Sequence, residues 1–297
     1  MKRKLIKQAG QAITVTLPIE WIRDNGLKFG DEVDFSVREN DLIISSGKEV
    51  KGNSIKLDIS EMPGNTKYYL INGAYAAGVD KIKLEIKRAD YPNLNSSMGY
   101  AIVDQKEREL IVKDIGGHSS KNLDEIFKRS FQMVIGFYDS AIEDIFERHA
   151  KSYGEVQNRD FEINKFILFL QRAIMKKFYS DGSEGKIMFA YSYALEKIGD
   201  EILRLWRTDI NSKVVKSKKV KEIVALSREA LSIAFQMYYN FDQKKITKFM
   251  ELRNDVREKS LKVLDIDSYT SSFVNHALRI LEDAYDMNHL SIMRKLK

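Results

Sequence analysis

Residues 10–33 read GQAITVTLPIEWIRDNGLKFGDEV, and the punctuation of this stretch decides the fold of the first part of the chain. Ala12, Thr14 and Thr16 alternate with Ile13, Val15 and Leu17, the period of a half-buried strand. Pro18 has no N–H to give to a ladder and ends that strand. Residues 19–25 suit about two helical turns, with Ile19 and Ile22 on one side. Gly26 falls just past the end, where a left-handed residue is wanted. Leu27 and Phe29 lead into Gly30 and Asp31, and Val33, Phe35 and Val37 begin a second alternation. Asn40 and Asp41 are expected to turn the chain, and residues 42–44 to return it. A unit of about 45 residues is too small to bury a core alone, so it is expected to dimerise.

Working outward, the chain before this stretch is basic. Lys2, Arg3, Lys4 and Lys7 come before the first acidic residue, Glu20. The basic start, the strand ending in Pro18, and Gly30 with Asp31 before the second hairpin together resemble the AbrB/SpoVT family of swapped-hairpin DNA-binding domains. The form LPIEWI, with Trp21, is similar to the version fused to PhoU-like regulators, mostly archaeal. The resemblance covers residues 3–46. It implies that two chains interleave their hairpins into one β barrel and that one basic face contacts double-stranded DNA. Lys2, Arg3, Lys4 and Lys7 would then supply phosphate contacts, which position the protein. Arg23 would be the candidate for a groove contact, which carries specificity. A module that only dimerises is the competing reading.

The chain has 297 residues, enough for two or three domains. Hydrophobic residues make up 43%, which supports real cores, and no run of apolar residues is long enough to span a membrane. The absence of cysteine removes disulfides, thiolate catalysis and thiolate-bound zinc. The four histidines, His118, His149, His276 and His289, are scattered, which argues against a histidine-based site. A net charge of +6 permits a nucleic-acid partner without requiring one. A cytoplasmic location is expected.

Residues 47–53 are polar and read as a linker. Beyond them, residues 54–59 and 80–87 alternate as strands around a helix near 68–77 closed by Gly78, so the two strands are expected to be parallel. Two further strands, 100–104 and 109–115, complete a small α/β domain over 54–116, in which no catalytic constellation is evident. After Gly116 and Gly117 proline disappears and apolar residues recur at three and four. Six helices are expected near 121–150, 156–180, 184–209, 215–240, 242–264 and 269–296, as two three-helix bundles over 121–210 and 213–297. Lys213, Lys216, Lys218, Lys219 and Lys221 mark the divide and read as a solvated helix start. Trp21 and Trp206 are expected to be core or interface anchors.

The two halves echo each other. Residues 194–200 read ALEKIGD and residues 280–286 read ILEDAYD, both containing Leu-Glu-x-x-x-Asp. The spacing puts Glu196 with Asp200, and Glu282 with Asp286, on one helix face. Tyr191, Leu195, Ile198, Ile202 and Leu205 define the buried stripe of the first helix. At about 100° per residue Glu196 and Asp200 are expected on the opposite, polar face. Gly199 sits mid-helix at about 1 kcal/mol against Ala, which suggests either a close approach or no selection at all. These motifs resemble the paired helical motif of the PhoU family of phosphate-signalling regulators. The resemblance implies bound divalent or iron-type metal ions, with partner carboxylates from the preceding helix of each half: Asp160 in the first, Glu251 and Asp255 in the second. Glu162 is also available in the first half. Asn164 stands where an acid often occurs, and an amide is a poorer ligand for a hard cation. A solvated acidic face is the plain alternative.

The expected fold class is therefore α+β: an N-terminal swapped-hairpin β barrel made by a dimer (residues 1–47), a small α/β connector (54–116), and two PhoU-like three-helix bundles. The expected function is DNA-binding transcriptional regulation of phosphate uptake, with the helices as a sensing or docking module. The alternative is a dimeric adaptor that docks on a phosphate transporter or sensor kinase without binding DNA. No catalysis is expected: carboxylate-bridged di-metal enzymes need inward Glu-x-x-His pairs, which these helices lack.

Overall fold

The computed structural model describes residues 2–8, 10, 12–38, 41–46, 53–116, 123–148, 150–176 and 182–296. The chain divides into two compact units, Met1–Gly52 and Asn53–Lys297.

In the first unit β1 (Ile6–Lys7) pairs antiparallel with β2 (Ile13–Thr14), with Ile6 opposite Thr14. The strand expected over 12–17 is thus paired at two residues only. Pro18 caps α1 (Ile19–Asp24) in extended backbone. The helix ends as its sequence asks. Gly26 has φ +59°, its N–H donates to Arg23 O, and Leu27 N donates to Ile22 O. Those two bonds close a left-handed cap that a Cβ would strain. Leu27, at the end of that cap, is the one buried side chain among the described residues of this unit. Then β3 (Asp34–Arg38) pairs with β4 (Asp41–Ser45), Arg38 facing Asp41. The Asn40 side of the expected turn and residues 47–52 of the expected linker lie outside the described residues. The described residues of this unit form two separate two-stranded sheets and no closed barrel. The reason is visible in the exposed side chains: Leu5, Ile13, Phe29, Phe35, Val37 and Leu42 are all more than half exposed. A single copy has too little chain to cover them.

The second unit begins with the expected parallel pair. β5 (Ser54–Asp58) and β6 (Lys81–Glu85) flank α2 (Gly64–Ala76), with Ile55 beside Ile82. β7 (Tyr100–Lys106) and β8 (Glu109–Asp114) form a hairpin, and β8 lies between β6 and β7. The alternation of β6 puts Ile82 and Leu84 into a core with Ile59, Ile71, Tyr75, Leu110 and Val112.

Six helices follow. They are α3 (Leu123–Glu143, extended by a π-helical turn, Asp144–Arg148), α4 (Tyr153–Met175), α5 (Gly182–Asn211), α6 (Lys218–Tyr239), α7 (Gln243–Leu261) and α8 (Ser268–Leu296). The expected starts at 121 and the end at 180 fall outside the described residues. α4 begins earlier than its apolar period indicates. Ser152 accepts from Glu155 N at 3.3 Å and Glu155 accepts from Ser152 N at 2.7 Å, a reciprocal cap that sets the start. One apolar core runs through all six helices, and Trp206 is buried in it as expected. Tyr138 on α3 donates to Val224 O on α6 at 2.8 Å, and Tyr191 on α5 meets Ser291 on α8 at 2.5 Å. These bonds join the two halves across the core.

Candidate functional site

The N-terminal unit presents its cations to solvent. Lys2, Arg3, Lys4, Lys7 and Arg23 are all exposed, and none is ion-paired among the described residues. Short ribbons and a two-turn helix cannot bury such long charged stems, so the charges stay hydrated and available to phosphates.

In the helical region the acids of the first half do converge. Asp160 on α4 is 8% exposed and faces Glu196 and Asp200 on α5. Burial, then the Asp200 charge, raises the Asp160 carboxyl from 3.8 to about 6, with Glu196 adding to the rise and Arg207 opposing it. Burial and Asp200 also raise Glu196, against a hydrogen bond from Gln171 on α4. Asp200 is held by Arg204 at 2.9 Å. Asn164 donates to Asp160 Oδ2 at 3.3 Å, but Asp160 Oδ1 and Asn164 Oδ1 are buried with no partner. The expectation that Glu196 stands on an open polar face is corrected. α5 lies against α3, α4 and α8, so it buries more than one side, and Glu196 is half-buried against α4. Glu162, also on α4, points away and pairs with Lys165 at 3.2 Å.

The second half is built differently. Glu282 accepts from Arg253 Nε at 2.9 Å and from Arg257 Nε at 2.8 Å. Burial opposes its ionisation, but these two hydrogen bonds and the arginine charges outweigh burial and hold the carboxyl below its usual range. Asp255 is paired with Lys259, and Glu251 and Asp286 are exposed. Glu196 and Asp200 nevertheless share one open groove of ≈ 840 Å³ with Glu282 and Asp283, rimmed by Arg204 and Arg257.

These arrangements decide which acids suit a metal. In the first half two buried oxygens lack partners and burial, with the Asp200 charge, pushes two carboxyls up, so Asp160, Asn164, Glu196 and Asp200 offer oxygens of the kind a hard cation takes, although Asp200 already has Arg204. As placed, no three acidic or histidine side chains among the described residues stand together closely enough to chelate one. The second half does not fit: Glu282 already has two cations. His276 is satisfied by Glu201 at 2.7 Å, as expected of a histidine outside any ligand set. No described helix is long and apolar enough to cross a membrane.

Sequence reasoning passed over two features. Glu201, 4% exposed, gathers His276, Arg204 and Arg279. Arg172, fully buried, lies in an apolar run, and nothing in the linear sequence points to its partners.

Residues 6–52 match the family model described as antidote-toxin recognition MazE, bacterial antitoxin. The N-terminal segment is thus similar to that family. The match spans both ribbons and α1 and stops before the α/β segment. No curated protein matches the chain.

Proposed function

We propose that this chain is a homodimeric, DNA-binding transcription regulator whose helical region senses a ligand or docks a partner. The observation that carries the reading is the segment at 6–52, which is similar to the MazE antitoxin family, exposes Lys7 and Arg23 just after the exposed Lys2, Arg3 and Lys4, and has apolar side chains that one copy leaves uncovered. A second copy would cover Phe29, Phe35, Val37 and Leu42, and the interleaved barrel is the form this takes in our reading. Lys2, Arg3, Lys4 and Lys7 would neutralise phosphates, and Arg23 would reach a groove.

The helical region is the sensor in this reading, and it is not catalytic. The first-half acids would hold a divalent or iron-type cation, with Asp160, Glu196 and Asp200 as carboxylate ligands and Asn164 as the amide ligand. Such a cation supplies positive charge where the fold leaves negative charge uncompensated. Control of phosphate uptake, in a cytoplasmic setting, is the finer proposal, and it is carried by the resemblance of the paired Leu-Glu-x-x-x-Asp helices to PhoU regulators.

Genomic DNA capture with the full chain, followed by salt titration on enriched fragments, tests this. Lys4→Ala/Lys7→Ala is expected to lose enrichment. It should also flatten the slope of log affinity against log salt by about 0.9 for each phosphate contact removed. Weak binding that is equal in both proteins would overturn the DNA reading. It would leave the dimeric adaptor, whose partner would be sought among phosphate transporters and sensor kinases.

A further inference from the structure

Residues 54–116 have no part in the reading above, yet their attachment to the helices is specific. Arg172 stands on α4 within the run FILFLQRAIM (residues 166–175) and is fully buried. Its guanidinium donates to Tyr75 O at 2.9 Å, Val79 O at 2.7 Å, Asp80 Oδ1 at 3.0 Å and Asp114 Oδ2 at 2.7 Å. The same group lies over the rings of Tyr75 and Tyr100, at 4.8 and 5.4 Å. Every one of these partners belongs to the α/β segment: the end of α2, the turn into β6, and the end of β8. An apolar side chain would fill the space as well. A buried fork adds a fixed register between α4 and the sheet, because each donor has one acceptor.

Asp80 has a second set of bonds. Its backbone N–H donates to Asn53 O at 2.8 Å, and its Oδ2 accepts from Asn53 N at 3.1 Å. Lys81 N also donates to Asn53 O, at 3.1 Å. Asn53 is the residue at which the chain, after the DNA-binding module and residues 47–52, enters the second unit. So one carboxylate is held by Arg172 on α4 and by Lys176 just past its end, and holds the point of entry through Asn53. On the same helix, the neighbour of Arg172 is Gln171, which bonds Glu196, and Asp160 and Asn164 lie further toward the N-terminus.

We propose that Arg172 and Asp80 form a joint that carries a displacement of α4 at the acid site to Asn53, the residue at which the chain enters the second unit. The α/β segment is then the transmission element of the protein. The proposal rests on the sensing role given above to Asp160, Glu196 and Asp200. Neutralising those carboxyls removes repulsion between α4 and α5. A helix as long as α4 moves as a rod, so a shift at Asp160 reaches Arg172, and Asp80 cannot stay behind while both its oxygens are held.

Hydrogen exchange on the full chain tests this, with Mn²⁺ as the probe. Two arms are run. The first adds Mn²⁺ to the unsubstituted protein. The second uses Asp160→Asn/Glu196→Gln without metal, which neutralises the site with no ligand. In both arms the amides of Asn53, Asp80 and Lys81 are expected to exchange more slowly by about threefold or more. Arg172→Lys together with Lys176→Ala loses the fork and the second bond to Asp80 Oδ1, so it should bind Mn²⁺ as tightly and abolish the response in both arms. Where this double variant fails to give a native circular dichroism spectrum, Asp80→Ala is read in its place. Amides that do not respond in the neutralised variant, or a response that survives loss of the joint, would overturn the proposal. Failure of Mn²⁺ to bind, with an Arg172-dependent response in the second arm, would uphold the joint and overturn the cation reading alone.

Discussion

The two halves of the helical region carry one motif in two opposite surroundings. In α5 Glu196 meets the charges of Asp160 and Asp200 and bonds Gln171, while Asp160 and Asn164 each leave one oxygen without a partner. In α8 the matching Glu282 faces Arg253 and Arg257. The contrast extends to the position before the second acid. Gly199 leaves space beside Asp160, whereas Tyr285 fills the matching place and lies under Arg253 at 3.8 Å. The second half thus contains its own cations, fixed on α7, while the first half is short of one. A Leu-Glu-x-x-x-Asp motif on its own therefore says nothing about ligand binding. The residues on the facing helix decide whether its charge is already compensated.

The strongest test of this difference is Asp160→Asn. Moving a carboxyl from 3.8 to about 6 makes its charged form on the order of 3 kcal/mol harder to hold in the fold. The folded protein binds a proton between about pH 4 and 6 that the unfolded chain does not, so stability from this group is present at low pH and falls as pH rises through 6. Asparagine removes the charge and can donate to the unpartnered Asn164 Oδ1. Thermal unfolding at pH 7.5 should show a gain of about 2 kcal/mol, or roughly 4 °C. The gain should shrink to about a third at pH 4.5, inside the window where the fold already binds the proton, and vanish only below about pH 3.8, where the unfolded chain is protonated too. An equal gain at both pH values would mean that uncompensated charge is not what distinguishes this half.

Next in size is the pair Glu282→Gln and Glu196→Gln. The first removes the charge from two arginine bonds. With Glu282 partly exposed and screened, the loss should be about 1–2 kcal/mol. The second relieves a raised carboxyl and should shift the melting temperature upward. Matching substitutions in matching motifs are thus expected to move stability in opposite directions. Shifts of the same sign in calorimetry would erase the comparison.

Much of this architecture was legible in the chain. The helix breaks, the parallel pair around α2 and the left-handed turn at Gly26 follow from local chemistry that acts within a few residues. The repeat at 195–200 and 281–286 was legible too. What periodicity could not supply was the number of neighbours each helix has. α5 lies against three others, so its single apolar stripe understates how much of it is covered, and Glu196 was placed in solvent. Arg172 was invisible for a related reason. Its acceptors are 58 to 97 residues away, and an isolated charge in an apolar run gives no hint of them. The early start of α4 is different, since Ser152 and Glu155 spell a reciprocal cap that apolar spacing alone overlooks. The N-terminal module is legible from its turns, and one copy leaves its apolar residues Phe29, Phe35 and Val37 exposed.

The smallest effect concerns Gly199. A glycine within a helix is about 1 kcal/mol less favourable than alanine, so its presence in the middle of α5 needs a reason. Crowding does not provide one. An added Cβ would lie 3.6 Å from Asp160 Oδ1 and 3.8 Å from Ile163 Cγ2, both ordinary contacts. What the methyl would do is cover the carboxylate oxygen that has no partner. At pH 4.5, with Asp160 neutral, Gly199→Ala should therefore yield close to the full 1 kcal/mol or so of helix propensity. At pH 7.5 the methyl shields a charge that needs water or a cation, and the gain should shrink. A pH-independent gain in thermal unfolding would show that the space beside Asp160 Oδ1 is incidental. A pH-dependent one would tie the glycine to the same charge that separates the two halves.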